Sequence, residues 1–133
     1  MRRGTTVVEM AVVAPVVVLM MLGFMEVGNA FRVKQSLNHA ANRAARAATL
    51  PGYSLADVKD VAAEALNNAG LRDYTVTSDI DELGPEDRAV TVEINIPFNR
   101  VLFTGSMLGG GGYTLSAKKT AHREMEVDSR PKN

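Results

Sequence analysis

An uninterrupted apolar run near the N-terminus constrains this chain more than any other feature. Residues 10–25 read MAVVAPVVVLMMLGFM, sixteen positions without a charge. As an α-helix this run would span only ~24 Å, less than the ~30 Å hydrocarbon core of a bilayer. Extension back to Thr5 gives ~31 Å and brings in one acid, Glu9. The segment therefore crosses a bilayer only if a carboxylate is tolerated near one end.

The run is typical of either a cleaved signal peptide or a retained membrane anchor. Arg2 and Arg3 would form the basic start of a signal peptide, and residues 28–30 offer a small-x-small cleavage site. However, the run is longer than the usual 7–15 residues of a signal, and Glu9 and Glu26 bracket it. We expect a retained anchor, because the helical pattern continues past the membrane. The two arginines favour a cytoplasmic N-terminus, although basic residues on the far side weaken that rule.

The stretch that follows continues as an alanine-rich helix. Residues 29–49 contain neither Pro nor Gly, and their charged side chains are all basic. Small apolar residues recur there at heptad spacing: Ala30, Val33, Leu37, Ala40, Ala44 and Ala47. The pattern predicts one helix over residues 5–49, ~67 Å long, with a kink at Pro15. A small domain does not need so long a helix, so we expect the seam to pack against other copies or subunits.

The rest of the chain predicts a small domain of about eighty residues with a modest core. Pro51-Gly52 ends the first helix; Ser54 and Asp57 suit the start of a second, and Gly70 suits its end. Alternating patterns predict strands over 74–80 and 90–96 and from 113 onward, with a turn at 83–87 and an apolar, glycine-rich loop over 101–112. The expected fold class is α+β: a long N-terminal transmembrane helix, a short second helix and about three antiparallel strands. Its divisions are 5–26 membrane segment, 27–50 alanine-rich extension, 51–128 α+β domain and 129–133 tail.

Composition argues against several functions. The chain has no Cys, which excludes disulfides and thiol nucleophiles, and its 15 basic and 15 acidic side chains do not suggest a nucleic-acid binder. The glycines at 109–112 lack the Gly-Lys-Ser/Thr of a phosphate loop. The acidic residues between 79 and 87 do not follow an EF-hand and suit a solvated turn. We therefore expect no catalytic site, metal, cofactor or small-molecule substrate. An acidic domain beside a basic helix also suggests attraction between neighbouring copies.

The leading residues carry the most specific pattern. Arg2-Arg3-Gly4 precedes residues 5–9, TTVVE, and then the apolar helix. This arrangement resembles the class III signal of type IV pilins and pseudopilins. More narrowly, residues 2–48 resemble the TadE-like proteins of the tight-adherence (Flp) pilus system. The motifs that carry the resemblance are VEMA at 8–11, Pro15, GFMEVG at 23–28 and ANRAARA at 41–47, with YTLSA at 113–117 also familiar. Met10 departs from the aromatic residue usual after the glutamate.

The resemblance implies processing by a membrane aspartyl prepilin peptidase, which would remove residues 1–4 by cutting between Gly4 and Thr5. Glu9 would then pair with the N-terminal amine of a neighbouring subunit. The implied role is a minor pseudopilin of Flp pilus assembly, with other pilins, pseudopilins and assembly-platform proteins as partners. It would sit in the bacterial inner membrane with its C-terminal domain extracytoplasmic, either staying there or entering the filament.

The alternative is a signal-anchored envelope protein whose domain binds a protein or glycan and has no connection with pili. The first residue of the mature chain separates these alternatives. Thr5 supports the pseudopilin, Met1 an ordinary anchor, and Phe31 a secreted domain.

Overall fold

The chain folds as one long helix, one short helix and a three-stranded antiparallel sheet. The computed structural model describes residues 2–82, 89–98 and 112–122. The elements in these ranges are α1 Arg2–Ala48, α2 Leu55–Asn68, β1 Thr75–Ser78, β2 Ala89–Pro97 and β3 Thr114–His122. The sheet order is β1-β2-β3, and both pairings are antiparallel. The predicted α+β class is therefore confirmed, while the turn at 83–87, the loop over 101–111 and the tail at 129–133 lie outside the described residues.

Helix α1 is continuous over 47 residues, a length of ~70 Å. It runs through Pro15 and ends just before Pro51-Gly52, where Gly52 takes a φ of +85°. Only a residue without a Cβ adopts that conformation at little cost. The single helix predicted over residues 5–49 is thus confirmed, and the kink at Pro15 stays a prediction.

The two halves of α1 have different surroundings. Side chains from Val7 to Met25 are exposed, whereas the stretch from Val33 onward supplies one wall of the core. The opposite walls come from α2 and from the inner faces of the strands. The buried side chains of those walls are Val58, Ala62, Leu66, Val76, Val90, Val92, Ile94, Ile96 and Ala117. The core is therefore a layered one, with the second half of α1 as its spine.

The heptad seam of α1 lies inside the chain, and this corrects the partner that we expected for it. Its residues Val33, Leu37, Ala40, Ala44 and Ala47 are buried in the chain's own fold, and Ala30 packs partly against the same core. Alanine side chains allow α2 and the sheet to approach closely, and both need an apolar surface to cover their own inner faces. The seam is therefore not available to sister subunits. Residues 33–48 also belong to the packed domain, which begins well before residue 51.

Both ends of α2 are fixed by the capping residues that the sequence predicted. The Ser54 backbone N–H donates to Asp57 Oδ2 at 2.9 Å, and the Asp57 N–H donates to Ser54 Oγ at 3.4 Å. These two bonds form a capping box. At the other end Gly70 has a φ of +74°, and the Leu71 N–H donates to the carbonyl of Leu66 at 2.9 Å. This is a Schellman stop, so the helix cannot extend beyond it.

The connections place the elements at two ends of the domain. Helix α2 runs antiparallel to α1. Ala69, at the end of α2, lies in one surface cleft with Arg32, which precedes the first buried turn of α1. β1 starts from that end, and the register sets Thr75 opposite Asn95 and Asn95 opposite Ser116. Residues 70–74, 97–98 and 112–114 therefore share one end with the first buried turn of α1. We call this the proximal end, because the exposed half of α1 emerges from it; residues 49–57 and 79–82 lie at the opposite, distal end.

Overpacking the buried seam should destabilise the isolated chain. We expect Ala44→Leu to lower the free energy of unfolding by about 1–3 kcal/mol, because a fully buried position has no room for three more carbons. The measurement is denaturant unfolding in detergent micelles, followed by circular dichroism. The control is Asn42→Leu, which places the same side chain on the exposed face of the same helix turn. Equal stability of the two variants would mean that the seam is open to other subunits instead.

The capping box should make α2 sensitive to acid. The backbone N–H of Ser54, and then its hydroxyl, hold the pKa of Asp57 below its ordinary value of 3.8. A carboxylate with a lowered pKa in the folded state contributes stability above its ordinary pKa, and that contribution is lost as the pH falls through the lowered value. Asp57→Asn should therefore destabilise the chain at pH 7, with the deficit disappearing well below pH 3.8. Asp60→Asn, one turn further along α2, is the control, and a deficit independent of pH would contradict this account.

Candidate functional site in the exposed half of α1

The N-terminal half of α1 presents a continuous apolar surface. Its large side chains from Val7 to Met25 are each 41–72% exposed, and the described residues leave them uncovered. Full burial of one such side chain is worth about 1.5–3 kcal/mol, so this surface favours a non-aqueous environment strongly. The helix is also long and apolar enough to cross a bilayer. One N-terminal apolar helix of this kind fits a single-pass membrane anchor.

Two carboxylates bracket this surface at a spacing close to the thickness of a membrane. Glu9 and Glu26 are seventeen positions apart on a continuous helix, or ~26 Å along its axis. A hydrocarbon core of ~30 Å would therefore hold both acids near its two boundaries. A charge costs ~2.5 kcal/mol or more at the bilayer centre and less toward the interface. Glu9 is exposed and lies about two turns from the N-terminus of α1.

The predicted processing position lies in the first turn of α1. Gly4 is helical and exposed, and a Cβ built on it would meet no heavy atom within 4 Å. The first four N–H groups of a helix have no partner within it, so a peptide bond in this turn can be unwound at low cost. The Gly4–Thr5 bond lies in that turn and outside the packed domain. A peptidase could therefore bind it in extended form without disturbing the core.

A polar stripe lies on the face of α1 opposite the core. Arg32, Gln35, His39, Asn42 and Arg46 are exposed and recur at heptad steps. The 3-4-3-4 spacing of these polar residues is a sequence signal that predicts such a stripe, in the same way as the spacing of the apolar seam predicts a buried face. Next to the stripe, the side chains of Arg43 and Glu64 approach within 3.7 Å, both more than half exposed. Such a surface pair contributes ~1 kcal/mol or less.

Of the acidic residues after β1, Asp79 makes a hydrogen bond that stabilises the sheet. Asp79 Oδ1 accepts the Thr91 backbone N–H at 2.7 Å, which ties the end of β1 to β2. Asp81 and Glu82 are exposed, and residues 86 and 87 lie outside the described ranges. Within residues 2–82, 89–98 and 112–122, no group of three or more His, Asp or Glu side chains is placed to hold a metal ion.

These features define the class of protein: a single long helix whose apolar first half fits a membrane anchor and whose second half packs into a small α+β domain. Residues 4–46 match the family model described as TadE-like protein, so the predicted resemblance to this family is confirmed over this segment. The match includes Gly4, Glu9 and most of the buried seam, and it ends inside α1. No curated protein and no solved structure matches the chain.

Proposed function

We propose that the protein is a minor pseudopilin that takes part in assembly of a tight-adherence (Flp) pilus, and that its role is structural rather than enzymatic. The observation that carries this proposal is that the matched segment contains an apolar helix half that the described chain leaves uncovered. A domain that needed only a tether could use any apolar span. A pseudopilin needs this span for a second purpose, because its helix must leave lipid and pack against other helices.

The buried seam changes how that assembly would work. Because residues 33–48 already pack against α2 and the sheet, sister helices would meet the surface of residues 7–25 instead. Inside a bilayer, association of helices depends on close packing and on polar contacts rather than on the hydrophobic effect. The folded domain would then be carried along as a rigid body, since it shares α1 with the span.

Cleavage between Gly4 and Thr5 would create the group that Glu9 needs for a polar contact between helices. Removal of residues 1–4 leaves a free amine on Thr5, and Glu9 follows four residues later. Pairing of Glu9 with the amine of a neighbouring subunit would offset the cost of holding a carboxylate at the edge of the hydrocarbon. The same cut removes Arg2 and Arg3, so the mature chain would carry two more acidic than basic side chains.

The first test is the processing site. We expect coexpression with a prepilin peptidase to give a mature chain that begins at Thr5, and Gly4→Ala to leave the chain uncut in the membrane. The added methyl meets nothing within 4 Å, so loss of cleavage would not reflect misfolding. Gly23→Ala is the matched control, because it adds a methyl to an equally open helical glycine. N-terminal sequencing and intact mass are the measurements, and normal cleavage of Gly4→Ala would exclude this site.

The second test separates processing from assembly. Glu9→Leu should be cut normally but should reduce surface pili, because the variant lacks the carboxylate that would pair with the neighbouring amine. Glu9→Asp keeps the charge and should retain more pili, and Glu64→Leu controls for the loss of an exposed acid on the domain. Pili sheared from cells and quantified by immunoblot give the readout. Unchanged piliation in Glu9→Leu would remove this role from Glu9.

A signal-anchored envelope protein with a binding domain is the second candidate. It is favoured by the core, which uses residues 33–117 and does not depend on the exposed half of α1. In that case the native chain would keep Met1, and Gly4→Ala would change nothing. Cleavage before Phe31 would instead release a secreted domain.

A further inference from the structure

We propose that the proximal end of the domain is a second membrane contact, which rests on the headgroups of anionic lipids. Four exposed side chains form it, and we call them the basal collar: Phe31, Arg32, Arg72 and Tyr113. The proposal rests on the role of α1 as a membrane anchor and adds an orientation of the domain against the bilayer. It does not depend on the pilus assignment.

Chain topology brings the collar together. Phe31 and Arg32 lie on α1 just before the first buried turn. Arg72 follows the stop of α2, and the cleft shared by Arg32 and Ala69 places that stop beside α1. On the other side of α1, the Lys34 ammonium donates to the carbonyl of Ser116, near the start of β3. Tyr113 directly precedes β3, so it lies at the same end.

The height of the collar above the hydrocarbon matches the headgroup layer. If Glu26 marks the edge of the hydrocarbon, Phe31 lies ~7.5 Å and Arg32 ~9 Å further along the helix axis. The polar layer on each side of a bilayer is ~5–8 Å thick, and an arginine side chain can reach back several ångströms toward it. Arg46 lies ~30 Å beyond Glu26 and cannot make the same contact.

The chemistry of the collar suits a charged lipid interface. Tyr113 is 74% and Phe31 65% exposed, so neither is needed by the core. Aromatic side chains are enriched at the level of the headgroups, and arginine beside them attracts anionic lipid. The Phe98 N–H donates to the carbonyl of Tyr113 at 2.8 Å, which fixes the backbone that presents this ring.

The distribution of charge also favours this orientation. Among the described residues, the proximal end has three basic side chains, Arg32, Lys34 and Arg72, against Glu26 and Asp73. Acidic side chains exceed basic ones at the distal end. The distal acids are Asp57, Asp60, Asp79, Asp81 and Glu82, and the bases nearby are Arg46, Lys59, Lys118 and Lys119. The net charge of these side chains is therefore slightly positive at the proximal end and slightly negative at the distal end, so an anionic surface would favour the proximal end.

The absence of tryptophan from the sequence gives a direct test. Three single-tryptophan variants of the full chain are reconstituted in phosphatidylcholine–phosphatidylglycerol vesicles, with and without brominated lipids: Tyr113→Trp in the collar, Phe24→Trp in the span and Tyr53→Trp at the distal end. We expect bromine placed near the headgroup to quench Tyr113→Trp, and deeply placed bromine to quench Phe24→Trp. Tyr53→Trp should be quenched by aqueous iodide and not by lipid.

A second arm tests the role of charge. In the Tyr113→Trp background, Arg32→Gln with Arg72→Gln should weaken the contact with anionic vesicles by roughly fivefold per arginine, the factor for a basic side chain near such a surface. Vesicles of phosphatidylcholine alone should show little difference between the variants. Arg46→Gln is the matched control, because it removes an exposed arginine of the same helix at the distal end.

The outcomes distinguish failure of the basal collar from failure of the membrane anchor on which it rests. If Phe24→Trp is quenched by lipid and Tyr113→Trp is not, the collar is wrong and the anchor stands. If neither is quenched, the membrane anchor itself fails. Equal lipid quenching of Tyr113→Trp and Tyr53→Trp would also overturn the collar, because the domain would then lie against the bilayer without a preferred end.

Discussion

The structure depends on a single helix whose two halves suit different environments, an apolar one for the first half and the core of a folded domain for the second. The second half of α1 buries its alanine seam against α2 and the sheet, while the first half leaves its apolar side chains exposed. The two halves belong to one continuous helix. The position of the folded domain relative to the span is therefore set by the backbone of α1 and not by a linker.

Small side chains on α1 allow α2 and the sheet to pack close to its backbone. Alanine buries little area, so the larger residues of the facing layers must supply most of the apolar stabilisation. Leu37, Leu66, Ile94 and Ile96 are among the largest fully buried side chains, and three of these four lie on α2 and β2. The alanines contribute by allowing close approach, and this is why overpacking, rather than loss of area, is the sensitive change at the seam.

The sequence predicted the elements well because each has a local signal. Ser54, Asp57 and Gly70 determine both ends of α2, and strict alternation identifies β2. The partner of the seam could not be predicted, because a heptad period shows which face of a helix is buried and not what covers it. The basal collar could not be predicted for a related reason. Tyr113 and Arg72 are far from Phe31 in sequence, and only the register of the sheet and the return of α2 place them at one end.

The different roles of the two halves of α1 also limit what could replace the bilayer in the proposed pilus assembly. In the proposed assembly, extraction of the span would expose about 31 Å of apolar helix and would withdraw the basal collar from lipid headgroups. Water cannot compensate for the first loss, and the domain cannot fold back over it, because its own apolar faces already cover the seam. Only a surface of similar length and polarity could take the place of lipid, and the proposed bundle of sister helices would provide one. In the proposed assembly, the Glu9 carboxylate at the start of that surface would then be an advantage, since it would favour the one alignment that brings an amine beside it.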